Sequence, residues 1–276
     1  MTVVVSPTPT AMTRGLDPRA IASIEAVLIP VGALVASAIL FSLFLLALGK
    51  SPATFFSLVW TGGFGSAFSI QNSLQRAAPL ILTGLAFAIP ARIGLTLLGA
   101  EGALVLGGFS SAAIAIPLVT SGFPAFIGLP LMALAAMLVG GVWIGLAGWL
   151  RHYRGVNETI SSLLLGYIAI AIMNFFVEGL LRDPASANKP STMPIGDAYR
   201  VGSMPGTSVH WGLAAGLILA VVLYILMTRT TFGFAARMTG GNVRAAKAQG
   251  LPVGFLVVTC CAIAGACAGL AGFYEV

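Results

Sequence analysis

Charge is scarce in this chain: 8% of its 276 residues are Asp, Glu, Lys or Arg, against 58% hydrophobic. A soluble domain is about a quarter charged, and one soluble core cannot hide this much apolar surface. A water-soluble enzyme is therefore excluded. Histidine and cysteine are few, at two and three residues. Cys260, Cys261 and Cys267 share one apolar run without metal-ligand spacing, which excludes a disulfide framework and makes them small buried hydrophobes. No aromatic-interleaved basic patch accompanies the net charge of +6, so nucleic acid is not an expected partner; retention of Lys and Arg on the cytoplasmic side of a membrane gives the same excess. Neither H-E-x-x-H nor G-x-S-x-G occurs. Gly49-Lys50-Ser51 echoes the end of a phosphate loop, but Phe44 stands where the loop's first glycine belongs. No catalytic role, metal or cofactor is expected, and work against a gradient must draw on a partner or on an ion gradient.

What the chain has is long apolar runs, with a mean hydropathy of +1.00. They predict an all-α polytopic membrane protein of about seven spans. A Pro- and Thr-rich lead, residues 1–24, reads as a disordered cytoplasmic N-terminus. The transmembrane body, residues 25–276, begins with an uncleaved span over Glu25 to Leu48. A loop or short interfacial helix is expected over Ser51 to Arg76. Ala77 to Leu98 is the second span, broken by Pro79, Pro90 and Gly94, and a third runs on from Gly99 to Val119. Phe123 to Leu150, a fifth span that Asn157 begins and that runs to about Leu180, His210 to Met227, and Pro252 to Tyr274 complete the set. Gly141-x-x-x-Gly145 and Gly265-x-x-x-Gly269 mark close-packing faces.

The segment Arg229 to Leu251 organises the rest. It carries Arg229, Arg237, Arg244 and Lys247 and no acid, between two spans. Asn242 can cap a short helix through Ala248, and Gly250 can end it. An exposed helix slung between spans is a handle for a partner; the plainer alternative is an ordinary basic cytoplasmic loop.

Charges at membrane depth are costly and need a polar partner or a cavity. Arg92 and Glu101 flank the broken stretch and form either an ion pair locking it or the wall of a transport path. Asn174 and Glu178, four residues apart, share one face of the fifth span. Leu181 to Val209 is the longest internal polar stretch, carrying Arg182, Asp183, Lys189, Asp197 and Arg200 with four prolines. A loop of that length is either a docking surface or a linker. With the N-terminus inside, eight Lys and Arg fall at inner ends and five at outer ends, with Arg92 in the membrane. The bias supports a cytoplasmic N-terminus. Residue chemistry alone leaves two rivals: the membrane half of a pump, or a proton-coupled secondary transporter using Glu101 or Glu178.

Several blocks bear on that choice: Gln75 to Leu85, Arg92 to Gly102, Asn157 to Ala169, Leu181 to Pro184, and Thr230-Thr231-x-Gly233 through Arg237, Gly240, Asn242, Ala245, Ala246 and Gly250. In this order they resemble the permease subunits of bacterial ABC importers, the nucleoside and simple-sugar branch of the branched-chain amino acid and ribose permease superfamily. The resemblance implies transport of nucleosides or a related sugar across the bacterial inner membrane. An ABC permease for branched-chain amino acids is the alternative within the superfamily. It also implies a separate cytoplasmic ATP-binding subunit docking on Arg237, Gly240, Asn242, Ala245, Ala246 and Gly250, a second permease subunit in a heterodimer, surrounding lipid, and an extracytoplasmic substrate-binding protein docking on Arg182, Asp183, Lys189 and Arg200. The chain departs from the family pattern at Leu97, where asparagine is usual, and at Val243 and Arg244. Members of the family continue beyond the Gly269 to Gly272 block into further spans, so the chain is expected to be C-terminally truncated.

Overall fold

A computed structural model describes residues 18–186 and 191–276, with side chains from residue 28 onward. The expected disordered lead therefore lies largely outside the described residues, as does Lys189; from Pro18 the backbone is helical. Ten α-helices are described: α1 Pro18–Ala47, α2 Pro52–Phe64, α3 Ala67–Arg92, α4 Ala100–Thr120, α5 Ala125–Arg154, α6 Glu158–Glu178, α7 Gly212–Arg229, α8 Thr231–Gly241, α9 Val243–Ala248 and α10 Val253–Tyr274. Seven of them, α1, α3 to α7 and α10, are long and apolar enough to cross a membrane. The all-α polytopic expectation holds.

The chain divides into two compact units, Met1–Gly62 and Gly63–Val276. In the first, α1 presents apolar side chains such as Leu34, Leu40 and Phe44 outward, as lipid or a partner helix requires. Phe41 meets Phe55 of α2 at 5.0 Å between ring centroids. Helix α2 supplies a short helix, one of the two expectations for the stretch that begins at Ser51.

The second unit is built around α10. In its most apolar stretch 61% of residues are buried, against 39% or less in every other span, and it packs on α5, α3 and α4. Small residues permit this. The backbones of Gly140 and Gly265 approach so closely that a β-carbon on Gly265 would overlap the Gly140 carbonyl and lie 2.9 Å from Ile144 Cβ. Gly269 lies equally close to Ala136, and Gly272 to Leu104. The Gly265–Gly269 face is thus as expected, whereas on α5 the tightest contact with α10 falls on Gly140 rather than on Gly141 and Gly145. All three cysteines are buried on α10.

Two expectations need correction. The second span starts ten residues earlier than expected, at Ala67, because Ser66 caps it by accepting from Ser69 N–H at 3.0 Å. Pro79 does not break it either. An interior proline withdraws one donor and its ring crowds the carbonyl four residues back, yet Ala67–Arg92 remains one helix through it. The real interruption is residues 93–99. There Gly94 adopts φ +79°, and Pro90 O accepts from both Ile93 N–H and Leu95 N–H.

Contacts sort the connections into two ends. At one, Gly254 at the start of α10 sits against His152 and Tyr153, and Lys247 of α9 lines a groove with the same two residues, so the end of α5 and α9 are neighbours; this end carries Arg151, Arg154, Arg229, Arg237, Arg244 and Lys247. At the other lie residues 180–186 and 191–211, the start of α3 and the end of α10, with Ser208 N–H and hydroxyl bonds to Gln71 Oε1 of α3 at 3.0 and 2.8 Å.

Candidate functional site

The break between α3 and α4 is held by the first turn of α6. Asn157 caps that helix, accepting from Thr159 and Ile160 N–H at 3.0 and 3.1 Å, so the expected helix start is found. Two hydroxyls then reach the irregular strand of chain: Thr159 Oγ1 donates to Thr96 O at 2.8 Å, and Ser162 Oγ accepts from Leu98 N–H at 3.1 Å. Such bonds are what permits non-helical backbone at membrane depth. Ile93, Leu95 and Leu97 are buried in the main apolar cluster. Leu97, the departure from the family pattern, therefore packs inward.

No ion pair joins Arg92 to Glu101; among the described residues the ion pairs are Arg151–Glu158 at 3.2 Å and Arg200–Asp197 at 3.3 Å. Both Arg92 and Glu101 are exposed. The expected lock is replaced by Gly94 and by the α6 hydroxyls, which hold the break through backbone groups without a buried charge. Arg92 instead lines a groove against Tyr224, Met227 and Thr228 of α7. Glu158, which sequence reasoning took only as part of a helix start, bridges the α5–α6 turn; it also sits in the first turn of α6, where the helix dipole favours an anion.

The basic segment forms two helices, not one. Thr230 starts α8 by accepting from Gly233 N–H at 3.2 Å, a capping signal that was present in Thr230-Thr231 but overshadowed by the charges. Asn242 starts α9, accepting from Arg244 and Ala245 N–H at 3.0 and 3.1 Å, and Gly250 at φ +78° ends it. That short helix is as expected. The candidate docking residues then separate by environment. Asn242, Ala245 and Gly250 are exposed, with Val243, Arg244 and Lys247 beside them, while Ala246 is fully buried. Arg237 turns inward and its guanidinium donates to Met227 O. Gly240 meets the break: a β-carbon there would lie 2.5 Å from Arg92 O and 3.0 Å from Ile93 Cα.

At the opposite end, a cavity of about 800 Å³ is lined by Asn72, Gln75, Arg76, Leu80, His210 and Glu275, among others. A neighbouring one of about 690 Å³ contains Asn174 and Glu178 and shares Leu104 and Glu275 with it. The structure thus places Asn174 and Glu178 together on a cavity wall. His210 closes the first cavity. Its Nδ1 accepts from Gly212 N–H at 3.0 Å, so the neutral ring carries its proton on Nε2. Its ring stacks on Tyr274 at 5.8 Å and 10°. Burial pushes its pKa below the ordinary 6.5, opposed by the Glu275 carboxylate and the Gln75 carbonyl. A depressed histidine pKa means the unfolded chain takes up its proton first. Stability is then complete above pH 6.5 and falls as pH drops from there toward the folded pKa. Protease accessibility of residues 200–211 is expected to rise on acidification below pH 6.5 and to stay flat in His210→Gln; equal acid sensitivity in both would exclude His210 as the cause.

The described parts of the long loop are anchored rather than loose. Arg182 bridges Thr192, Asp183 Oδ1 accepts from Ala185 N–H at 2.9 Å, and Tyr199 is buried with its hydroxyl donating to Phe123 O at 2.5 Å. Arg182 and Arg200 remain exposed. The Arg200–Asp197 pair is solvent-exposed on both sides, and such pairs contribute little.

Comparison with known proteins adds a family. Residues 69–276 match the model described as the permease component of branched-chain amino acid transport systems. The chain is 33% identical to the glucose ABC transporter permease protein of Haloferax volcanii over 84% of its own length and 63% of the relative's. It is 32% identical to the guanosine ABC transporter permease protein of Bacillus subtilis over 90% of this chain and 71% of the relative. For the nucleoside ABC transporter permease protein of Lactococcus lactis subsp. cremoris the figures are 28%, 89% and 69%. No solved structure matches.

Proposed function

Because the chain belongs to the branched-chain amino acid transport system permease family, we propose that it is a permease subunit of an ABC importer, carrying nucleosides or a related simple sugar into the cytoplasm. The substrates that name its relatives, glucose, guanosine and nucleosides, are neutral and share neighbouring hydroxyl groups. The partners in this reading are a cytoplasmic ATP-binding subunit, a second, different permease subunit and an extracytoplasmic binding protein. The membrane is the bacterial inner membrane, with the basic end and the N-terminus in the cytoplasm, as the distribution of Lys and Arg favours.

One observation carries the mechanism: α9 is exposed and capped at the basic end, and the α8 that precedes it ends on the α3–α4 break through Gly240. The ATP-binding subunit docks on α9 through Asn242, Val243, Arg244, Ala245 and Lys247. Its ATP-driven movement displaces α9 and α8 together. Arg237 ties α8 to the last turn of α7, so both helices shift against the break. The break yields because it is held by a few backbone bonds rather than by a continuous helix, and elements of that kind absorb rigid-body shifts.

The test separates docking from folding. Ala245→Glu leaves the exposed surface altered and the packing intact, so uptake and cross-linking from position 244 to the ATP-binding subunit are both lost while membrane insertion and melting temperature are unchanged. Ala246→Glu buries a charge and lowers the melting temperature itself. Normal cross-linking in Ala245→Glu would refute the docking assignment. At the other end, Arg182 and Arg200 present charge for the binding protein. Charge at an interface rim mainly sets association rate. Reversing both to Glu is expected to reduce uptake at low binding-protein concentration, to be partly rescued at high concentration, and to depend on salt. A concentration curve identical to that of the unmodified protein would return the loop to a structural role.

A further inference from the structure

Helices α3 and α7 pack side by side, and between their last turns runs a groove of about 230 Å³. Leu85, Ile89 and Arg92 line it from α3, and Leu223, Tyr224 and Thr228 from α7; on each helix these positions share one face. Leu85 to Arg92 is about 10 Å of helix, roughly a third of the hydrocarbon core of a bilayer. Arg92 and Thr228 stand at the basic end of the groove, and Tyr224 one turn of α7 deeper. Beside it Phe87 of α3 and Val221 and Ile225 of α7 are exposed, so hydrocarbon rather than water borders most of its length. Thr228 donates to Tyr224 O at 2.6 Å. The Arg92 guanidinium and the Tyr224 hydroxyl have no hydrogen-bond or ion-pair partner among the described residues. The groove is therefore apolar below and cationic at its mouth.

We propose that this groove binds one anionic phospholipid of the leaflet that the basic end faces. The Arg92 guanidinium holds the phosphate, the Tyr224 hydroxyl donates to an ester oxygen, and the upper part of one acyl chain lies along Leu85, Ile89 and Leu223. A guanidinium presents paired N–H donors that fit two phosphate oxygens at once, and charge-assisted bonds of this type are the stronger ones. Tyr224 is about 5 Å deeper along α7 than Thr228, as an ester lies below its phosphate. A basic pocket between spans is the form that recognition of an anionic headgroup takes. A partner span would instead meet an apolar contact running the full width of the core, and would have to bring a carboxylate to Arg92. Arg92 is also the last residue of α3, and its carbonyl faces Gly240 of α8, so a lipid phosphate there holds the ends of α3 and α7 beside the α3–α4 break. The site goes beyond the import reading and does not depend on the cargo.

The experiment labels the groove with lipid. The permease, assembled with its partner subunits, is placed in phosphatidylcholine vesicles that contain a trace of photoreactive lipid. The probe is either phosphatidylglycerol or phosphatidylcholine, each with the same diazirine in its upper acyl chain. Adducts are mapped to residues by peptide mass spectrometry, and uptake is measured in parallel. Adducts on residues 85–92 and 220–228 are expected to be roughly fivefold more frequent with phosphatidylglycerol, the worth of one cation beside an anionic headgroup. Arg92→Gln is expected to bring them down to the phosphatidylcholine level. Arg154→Gln removes a charge from the same basic end, but on α5, which packs on α10, α4 and α6, and is expected to leave the preference unchanged. The comparison of the two lipids needs no substitution, so misfolding of a variant does not blunt the test. Equal labelling by the two lipids, or a preference that survives Arg92→Gln, overturns the headgroup contact. Equal loss in Arg92→Gln and Arg154→Gln overturns the site in favour of diffuse surface charge. No adduct in the groove from either lipid, in vesicles that still take up substrate, shows that protein covers it; that overturns the lipid site and leaves the import reading standing.

Discussion

Gly240→Val is expected to reduce uptake roughly tenfold or more while the ATP-binding subunit remains bound and keeps hydrolysing ATP. The end of α8 touches the α3–α4 break so closely that even a β-carbon at Gly240 would sit 2.5 Å from Arg92 O. The atoms it meets are backbone and have no rotamer to escape into, so the chain segments must move apart. Overpacking of this kind costs about 1–3 kcal/mol, and ~1.4 kcal/mol placed in a barrier is already a factor of ten. Gly94 offers a second view of the same joint. It faces the Gly240 carbonyl at 3.4 Å from its would-be β-carbon and needs its φ of +79°, so Gly94→Ala is expected to impair transport by strain rather than by bulk. The readout is the ratio of substrate imported to ATP hydrolysed, with cross-linking from α9 as the control for docking. If Gly240→Val imports normally, movement reaches the break by another route.

The second large effect lies on stability. Gly265→Leu is expected to destabilise the second unit by about 3 kcal/mol, the upper range for overpacking, and to leave little monodisperse protein in detergent. Helices in a membrane gain nothing by hiding apolar surface from lipid, so close backbone approach carries much of their association. At Gly265 that approach is to the Gly140 carbonyl and to Ile144 Cβ at 2.9 Å. Gly84 makes no contact with an added β-carbon, and Gly84→Leu serves as the matched control, expected to melt like the unmodified protein. Equal melting of the two variants would show that α10 is not the packing centre.

Much of the fold was legible because two of its signals are local. Apolar run length gave the seven spans, and side-chain caps gave the start of α6 at Asn157 and of α9 at Asn242. The Gly265–Gly269 spacing marked the tightest face before any neighbour was known. What stayed hidden depends on partners distant in sequence. Pro79 reads as a helix break, yet α3 runs through it, packed against α10 and α7. The Arg92–Glu101 lock was inferred from the cost of buried charge, but both side chains reach the surface, and the break is secured by Thr159 and Ser162, whose hydroxyls carry no distinguishing pattern in the chain. The residues proposed for coupling could be picked out as a group, yet the division among them could not: Arg237, Gly240 and Ala246 pack inward, whereas Asn242 and Ala245 face out. Burial decides that division, and a six-residue helix such as α9 has too few turns to show which face is buried.

Energy coupling is the central claim, and one measurement addresses it directly. Proteoliposomes containing the permease with its partner permease and ATP-binding subunits are supplied with the extracytoplasmic binding protein and labelled uridine. Uptake is compared with ATP present or absent on the cytoplasmic side, and with an imposed pH gradient or a protonophore. Uptake that requires ATP and the binding protein and is unaffected by the protonophore is the predicted result. Uptake that follows the pH gradient without ATP would contradict it and make the protein a proton-coupled secondary transporter.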